Sequence, residues 1–361
     1  MIRRLDLLVP GLFGPVPLPA KDLPPVPLLT RLLGRADRRP GPGGVALDDS
    51  SSGPGRAVTT DPLTTLFALF GIPASPDQGY PSGPFCRLAD GLAPDSGVFV
   101  FHADPIHLRP DRHRLVLFAG HPLNVSQEEA EALTLLFNQH FAEDGLHLEA
   151  PTPGRWYLRV QHPPDLATSP LHTARGRPVA GLLPRGPDAR AWARILNEAQ
   201  MLFHHAEANH RRERAGLPAI SGIWPWGGGR LTDFHAHADY SRVFATDTLT
   251  LGLAQAAGVP TAPLSPDPAA LLAAMTSSTG ALLVHWQGLW NPVLEADGEA
   301  WAEALLALET WLAGFLAGMG GNFTLQILPC EGDTFRYRPH HRYRLWRSPF
   351  PLGKRLTGVM S

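Results

Sequence analysis

One segment of the chain, residues 197–230, carries residue types suited to holding an anion. Asn209 and Arg212 stand three positions apart in a helix-like stretch, so they share one face of a helix. An arginine side chain grips a carboxylate or a phosphate with two parallel hydrogen bonds. The competing interpretation is a helix end with solvated charges, because His210 and Glu213 lie beside the pair.

A glycine-rich turn follows this helix-like stretch. The apolar run IWPW ends in three consecutive glycines, and a strand followed by glycines brings bare backbone N–H groups next to a ligand. Trp224 and Trp226 share one side of that strand, where they either pack in a core or stack on a ligand. The glycines equally suit a tight turn at a strand end.

The predicted ligand-binding set adds a second arginine-rich segment, residues 102–114. Its arginines are able to hold an anion, although Asp104 before Pro105 is also typical of an ordinary turn. We predict that a small anionic molecule is held by Asn209, Arg212, Trp224, Trp226, Gly227, Gly228, Gly229, Arg230, Arg109 and Arg114.

Metal-ligand residue types are densest in the segment TDFHAHAD, residues 232–239. Imidazoles with carboxylates suit zinc, iron or manganese. We predict no metal site. The alternative is a site that binds one of these metals through Asp233, His235, His237 and Asp239. A chain with 16 histidines also produces H-x-H by chance, and a segment after a glycine turn is typical of a loop. No nucleophile motif or P-loop assigns a catalytic residue.

The composition argues against several classes of protein. The net charge of −2 over 361 residues gives no global field that would favour nucleic acid or an anionic membrane. The two cysteines, Cys86 and Cys330, lie far apart, which excludes a cysteine-only zinc site and fits a reducing cytoplasm. Asp6 and four prolines interrupt the apolar N-terminus, against a signal peptide. Residues 301–318 carry two glutamates and predict an amphipathic helix rather than a membrane span.

We therefore expect a cytoplasmic protein. Its expected partner is a small anionic ligand, with a protein partner as a further option, and we expect neither a nucleic acid nor a membrane as a partner.

Hydrophobic periodicity predicts the elements that position these residues. The run RLDLLV at 4–9 is typical of a buried strand, and Asp61 before Pro62 opens a helix through Phe70. Residues 36–60, rich in Gly, Pro and Ser, predict a flexible loop. Residues 85–184 predict two strands, a helix and two strands, and the helix begins with a capping box at Ser126 and Glu129. After Asp188, helices alternate with apolar runs, which predicts a mostly parallel sheet.

The segment NHRRERAGLP at 209–218, followed by IWPWGGG at 223–229, resembles a family. It is similar to H-P-V-N-x-x-R…G…P-A-N…W-G-x-G of archaeal-type cofactor-independent phosphoglycerate mutases. It is more similar still to proteobacterial phosphoglycerate-mutase-like proteins, sometimes called RpfE-type regulatory proteins. The segments between 85 and 160 follow the order of that family's inserted subdomain.

The resemblance implies an α/β fold of the alkaline-phosphatase-like superfamily. Its core, with a mostly parallel central sheet, would comprise residues 1–84 and 185–361, and residues 85–184 would form an inserted α/β lid subdomain. The family implies two divalent ions, usually manganese or zinc, and a Ser or Thr that carries the phosphoryl group.

The sequence departs from the family where the metal ligands are expected. Residues 9–11 (VPG) replace the Asp-Gly that ends the first strand, and residues 328–330 (LPC) replace the Asp-His of a late strand. Ala206 stands for the His of H-P-V-N, whereas Asn209 and Arg212 are kept. Two divalent ions need several anionic or imidazole ligands, so the metal centre is expected to be degenerate and a metal cofactor absent.

Three hypotheses for function follow. The leading one is a phosphoglycerate-mutase-like pseudoenzyme of the isomerase family that binds a small phosphorylated or carboxylated ligand and can serve a regulatory role. The second is an active metal-dependent phosphomutase or phosphatase with relocated ligands and manganese or zinc. The third is a non-catalytic interaction module, whose arginine-rich residues 335–347 would contact a partner. The favoured interpretation of that stretch is an arm packed on the core through Phe335, Tyr337, Tyr343 and Trp346.

Overall fold

The structure is a computed structural model, and it describes residues 3–14, 23–42, 62–73, 79–93, 97–112, 114–277, 280–320, 322–350 and 352. The chain forms two compact units. The first comprises Met1–Pro73 and Ala236–Ser361, and the second comprises Ala74–His235. The second unit is therefore inserted into the sequence of the first.

The first unit is built on a seven-stranded sheet. Its strands are β1 (Arg3–Leu8), β2 (Asp37–Pro40), β8 (Tyr240–Phe244), β9 (Thr261–Ala262), β10 (Ala281–His285), β11 (Phe323–Leu328) and β12 (Asp333–Tyr337). They lie in the order β2-β12-β11-β1-β10-β8-β9. The five strands from β11 to β9 are parallel, whereas β12 and β2 add an antiparallel edge. The α/β class with a mostly parallel central sheet is confirmed.

The described helices of this unit cover the sheet. They are α1 (Pro27–Arg35), α2 (Pro62–Leu69), α8 (Thr248–Ala256), α9 (Ala269–Ser277), α10 (Trp290–Glu295) and α11 (Gly298–Gly318). Alternation along β1 separates the two faces of the sheet: Leu5 and Leu7 pack in the hydrophobic core with side chains of α1 and α11, so Arg4 and Asp6 lie on the opposite face.

Among the described helices, α11 alone is long and apolar enough to cross a membrane by length and composition. Six of its side chains are buried in the core of the first unit, at Trp301, Leu305, Leu308, Trp311, Leu312 and Phe315. Glu309 accepts hydrogen bonds from the backbone N–H groups of Leu28 and Leu29, at 2.7 and 2.8 Å. The helix is thus a core helix tied to the N-terminus of α1.

The second unit is built on a five-stranded sheet. Its strands are β3 (Phe99–Asp111), β4 (Arg114–Ala119), β5 (Leu146–Thr152), β6 (Arg155–Val160) and β7 (Gly222–Gly229). The order is β4-β3-β6-β5, and β7 pairs antiparallel with β3. Its described helices are α3 (Ser82–Ala89), α4 (Gln127–His140), α5 (Leu171–Ala174), α6 (Ala189–His204) and α7 (Glu207–Arg214). The predicted capping box is present at the start of α4, where Ser126 and Glu129 cap each other.

Short 3-10 helices complete the described elements at His121–Leu123, Val179–Gly181, Leu231–Asp233 and Pro339–Tyr343.

The boundary of the inserted unit differs from the predicted 85–184. Residues 185–235, expected in the core, belong to the second unit. The reason is that β7 forms its ladder with β3, from Val100 opposite Gly229 to Ile106 opposite Gly222. Trp192 and Phe203 of α6 also pack in the hydrophobic core of that unit. The prediction that this strand joins the parallel sheet is therefore wrong.

The predicted flexible loop, residues 36–60, is wrong at its start. Residues 37–40 form β2, because their backbone pairs with β12 from Asp37 opposite Arg336 to Pro40 opposite Asp333. Residues 43–61 lie outside the described residues.

Candidate anion-binding cleft

A cleft of about 460 Å³ lies in the first unit, over the face of the sheet opposite its core. Charged and polar side chains line much of it, namely Arg4, Asp6, Arg39, His237, Asp239, Tyr240, Gln326 and Thr334. Apolar and backbone surface from α2 and the turn after it completes the wall. A concave surface on which polar groups converge is a candidate site for a small molecule.

The register of the strands explains why these side chains meet. Asp6 of β1 is opposite Gln326 of β11, which is opposite Arg336 of β12. Arg39 of β2 is opposite Thr334 of β12 in the same way. Side chains that are directly opposite across a ladder share a face, so one row of polar groups crosses the sheet.

Asp6 is the most enclosed acid of the cleft. Its carboxylate accepts hydrogen bonds from the Tyr240 hydroxyl at 2.9 Å and from the Gln326 amide at 2.7 Å, and Arg4 Nε lies 3.2 Å away. Burial raises the pKa of Asp6, and the charge of Arg4 and the two hydrogen bonds oppose that rise. Burial, followed by the Asp6 charge, raises the pKa of Tyr240 well above its usual range, so its hydroxyl stays a donor.

Four arginines lie near one another at this part of the sheet: Arg4 and Arg39 line the cleft, whereas Arg336 and Arg338 lie outside its lining. Burial lowers the pKa of Arg336, and the charges of Arg338, Arg39 and Arg4 lower it further, opposed by Asp37. The Nε atoms of Arg336 and Arg338 are buried without a hydrogen-bond partner among the described residues. Guanidinium groups that repel each other and keep buried unpaired donors are an arrangement that a bound anion would stabilise.

The sequence-predicted residues Asn209 and Arg212 lie in the second unit, where both are buried. The Asn209 amide bridges the backbone of Phe203 and Ile220. Arg212 donates to Glu129 at 2.7 Å, to the carbonyl of Pro218 at 2.8 Å and to the carbonyl of Leu123. These contacts join α7 to α4 and to the loop before β7, which gives both residues a structural role; anion binding by them stays a prediction.

The tryptophans and glycines of β7 also serve the packing of the second unit. Trp224 donates to the carbonyl of Ser169, and Trp226 donates to Asp104 at 2.8 Å while it stacks on His102. Gly227 has a φ of +62°, and a Cβ there would collide with the Ser82 hydroxyl. A Cβ at Gly228 would collide with aromatic rings, and one at Gly229 with a proline ring. The glycines therefore allow close packing in this unit.

The remaining arginines of the predicted set lie near strand ends. Arg109 and Arg114 are exposed on β3 and β4, and the guanidinium of Arg109 lies 4.3 Å from the centre of the Phe118 ring. Arg230, just after β7, donates to the carbonyl of Gly97. The structure does not bring these three residues to Arg212, whose described partners are Glu129 and the carbonyls of Leu123, Asn124 and Pro218.

The alternative metal segment is divided between the two units. Asp233 and His235 belong to the second unit, and His237 and Asp239 to the first, where both line the cleft. Within the described parts of the chain, no group of three or more His, Cys, Asp and Glu side chains is arranged to hold a metal ion.

Sequence reasoning missed a buried cluster at the carboxyl ends of β8 and β10. His285 Nδ1 lies 2.7 Å from the Thr250 hydroxyl and 2.8 Å from Asp247, which also caps the N-terminus of α8. The charge of His285 and its hydrogen bond lower the pKa of Asp247, against the effect of burial. His285 Nε2 is buried without a partner among the described residues. Two features of the sequence could have predicted this cluster: Asp247 stands at the start of a helix, and His285 stands at the end of an apolar strand.

Sequence reasoning also missed the cleft itself, since Arg4 and Asp6 lie inside a strand that looks like simple core. Their alternation with Leu5 and Leu7 was the available signal.

Comparison with known proteins gives a partial sequence match and a match in fold. No family model matches the chain. A stretch of 65 residues, 18% of this chain, is 37% identical to the 2,3-bisphosphoglycerate-independent phosphoglycerate mutase of Methanothrix thermoacetophila and spans only 17% of that enzyme. The resemblance to phosphoglycerate mutases thus has support in part of the sequence.

Among solved structures, the PH0037 protein from Pyrococcus horikoshii superposes with a TM-score of 0.54 and 16% identity, over 93% of this chain and 86% of that one. The cofactor-independent phosphoglycerate mutase of Thermoplasma acidophilum is aligned over 94% of this chain and 89% of that one, at 16% identity and a TM-score of 0.40. The first of these matches establishes that the fold recurs in a solved protein. The proteobacterial RpfE-type grouping stays a prediction.

Proposed function

We propose that this chain is a phosphoglycerate-mutase-like protein that binds a small phosphorylated or carboxylated ligand in the cleft of its first unit. The observation that carries the proposal is the group of four neighbouring arginines, of which Arg4 and Arg39 line the cleft. The other two, Arg336 and Arg338, keep buried guanidinium nitrogens that lack partners among the described residues. The partial similarity to a mutase supports an anionic metabolite as the ligand. The proposal includes a cytoplasmic location and a regulatory role for the protein.

The positions of Arg4 and Arg39 favour a ligand with two anionic groups. They start from β1 and β2, which two other strands separate in the sheet, and the register sets them four residues apart along the strands. Their Cα atoms are therefore roughly 20 Å apart. Long arginine side chains at such a separation suit a molecule with a charge at each end. Gln326 and Tyr240, already fixed by Asp6, would present polar groups to its middle.

The same proposal includes a degenerate metal centre. Residues 9–11 and 328–330, at the carboxyl ends of β1 and β11, offer no carboxylate or imidazole. Two divalent ions require several such ligands, so the described residues at these strand ends do not fit a two-metal centre. We derive no catalytic step through one.

A second candidate is an active metal-dependent phosphomutase or phosphatase with relocated ligands. The observation in its favour is His285, whose buried Nε2 lacks a described partner while Asp247 holds the opposite nitrogen. A carboxylate that orients a histidine in this way is common where the other nitrogen binds a metal or moves a proton. Turnover of 2- or 3-phosphoglycerate that is lost in His285→Gln would favour this candidate.

Titration with 3-phosphoglycerate, followed by calorimetry and thermal unfolding, tests the binder. We expect saturable binding, and we expect Arg39→Gln to weaken it about tenfold, because a charge-assisted hydrogen bond is lost. Arg114→Gln, at an exposed arginine of the second unit, is the matched control and should bind as tightly as the wild type.

Two outcomes would contradict the proposal in different ways. Weaker binding in Arg114→Gln with no change in Arg39→Gln would place the ligand at the sequence-predicted residues of the second unit. No binding of 3-phosphoglycerate, 2-phosphoglycerate or inorganic phosphate at millimolar concentration would overturn the anion-binding function.

A further inference from the structure

Three large side chains near the end of the described chain are exposed together. Tyr343, Leu345 and Trp346 are 63%, 76% and 78% exposed. We call residues 339–347 the basic loop. Phe335 is fully buried as expected, but the expectation that Tyr343 and Trp346 pack on the core is wrong.

Hydrogen bonds hold the backbone of the basic loop in place. Arg344 donates to the carbonyl of Arg35 at 3.0 Å and to Asp37 at 2.6 Å, and Arg347 donates to the carbonyl of Ala36 at 2.7 Å. Arg35 in turn donates to the carbonyl of Arg342 at 2.8 Å. These contacts tie the basic loop to the end of α1 and the start of β2, while Leu345 and Trp346 stay exposed.

The surroundings of the basic loop are strongly positive. Residues 334–350 contain five arginines and no Asp or Glu. Residues 27–40, which include the residues of α1 and β2 that contact the basic loop, contain four arginines and one acid, Asp37. The excess is local, since the whole chain has a net charge of −2. A negatively charged partner fits this surface.

The exposed apolar side chains indicate which class of negatively charged partner fits this surface. Leu345 and Trp346 are suited to insertion at the boundary between lipid headgroups and acyl chains, and Trp and Tyr are enriched at that depth. Three such side chains offer roughly 400 Å² of apolar surface, about half of the ~800 Å² that each partner contributes to a stable protein interface. Leu345 also has no face on which a base could stack, unlike the side chains of single-strand nucleic-acid sites.

We propose that the basic loop docks this protein reversibly on an anionic lipid bilayer, with Leu345 and Trp346 inserted and the arginines at the headgroups. Few apolar side chains together with a polybasic surface give the two weak signals that peripheral binding needs. The net charge of the whole chain does not indicate membrane binding, because the positive charge is confined to one surface.

Cosedimentation of the full chain with vesicles tests the proposal. We expect binding to vesicles of phosphatidylcholine with phosphatidylglycerol, weak binding to phosphatidylcholine alone, and release by salt. Leu345→Ser with Trp346→Ser should weaken binding about tenfold or more, and Arg31→Gln with Arg342→Gln should weaken binding only to the anionic vesicles. Leu135→Ser with Met201→Ser, at apolar positions of the second unit that are 61% and 66% exposed, is the control and should bind as the wild type does.

Equal binding of all variants, equal binding to both kinds of vesicle, or no binding to either would overturn the proposal. Binding of polyglutamate but not of vesicles would also overturn it and would indicate an acidic protein partner instead. Thermal unfolding checks that each variant is folded, and a blue shift in the fluorescence difference between wild type and Trp346→Phe on adding anionic vesicles reports insertion directly. The affinity for 3-phosphoglycerate is measured separately, so failure of either proposal leaves the other intact.

Discussion

Asp6 and Asp104 show how one residue type acquires different properties in the two sheets. Asp6 accepts hydrogen bonds on both carboxylate oxygens and has Arg4 beside it, so the effect of burial is opposed by stabilisation of the charged form. Asp104 is buried and accepts from the Trp226 indole, and burial raises its pKa to about 6. Residue type and spacing alone do not distinguish these cases, because the difference arises from neighbours that are distant in sequence.

Asp104 should therefore make stability depend on pH. Its pKa in the folded chain is about 6, against an ordinary value of 3.8, so the folded state holds the proton more tightly than the unfolded state does. This contribution to stability is present at low pH and is lost as the pH rises through about 6.

We expect Asp104→Asn to remove this dependence while keeping an acceptor for Trp226. The free energy of unfolding of the variant, relative to the wild type, should rise by about 1 kcal/mol between about pH 5 and pH 8. Urea unfolding at several pH values measures it. A difference between the two proteins that stays constant over this range would show that Asp104 does not titrate there.

Several elements are fixed by single polar side chains at their ends. Ser126 and Glu129 cap α4, and Asp247 and Asp297 cap α8 and α11 through the backbone N–H groups of Thr250 and Ala300. In contrast, α1 has no side-chain cap of its own, and Glu309 of α11 supplies the acceptors. A local pattern reveals the first kind of cap, whereas the second kind requires the tertiary structure.

Glu309→Gln should destabilise the first unit by about 1 kcal/mol, because it removes the negative charge and one of two acceptors at the N-terminus of α1. Glu303→Gln, on an exposed position of the same helix, is the matched control and should change stability by less than about 0.5 kcal/mol. Denaturant unfolding followed by fluorescence compares them. Equal effects of the two substitutions would mean that the cap contributes nothing.

At the scale of the whole molecule, the proposed functions belong to the first unit. The cleft and the basic loop both lie there. The residues predicted from the glycine-rich segment lie in the second unit, where their observed contacts serve its packing. The degenerate metal centre proposed from residues 9–11 and 328–330, which carry neither a carboxylate nor an imidazole, has a consequence that can be measured on the intact protein.

Removal of divalent ions should leave the protein and its ligand binding unchanged. We expect metal analysis of the purified protein to find far less than one ion per chain, and we expect EDTA to alter neither the unfolding temperature nor its increase with 3-phosphoglycerate. Near-stoichiometric manganese or zinc would contradict this and would support the active enzyme, and its loss in His285→Gln or in His235→Ala would identify the histidine that binds it. Samples with added manganese or zinc, unfolded beside the EDTA-treated ones, provide the control.

The sequence by itself determined the fold class, the capping box of α4, a strand at β1 and a helix at α11, because these depend on hydrophobic period and on neighbours within one turn. It also determined that residues 9–11 and 328–330 carry neither a carboxylate nor an imidazole. Only the tertiary structure decided that β7 pairs with β3, that Arg212 joins helices of the second unit, and that Arg4, Arg39 and Gln326 share one face. The physical reason is that strand pairing and register are set by contacts between residues far apart in the chain, and a shift of one residue exchanges the buried and the exposed side of a strand.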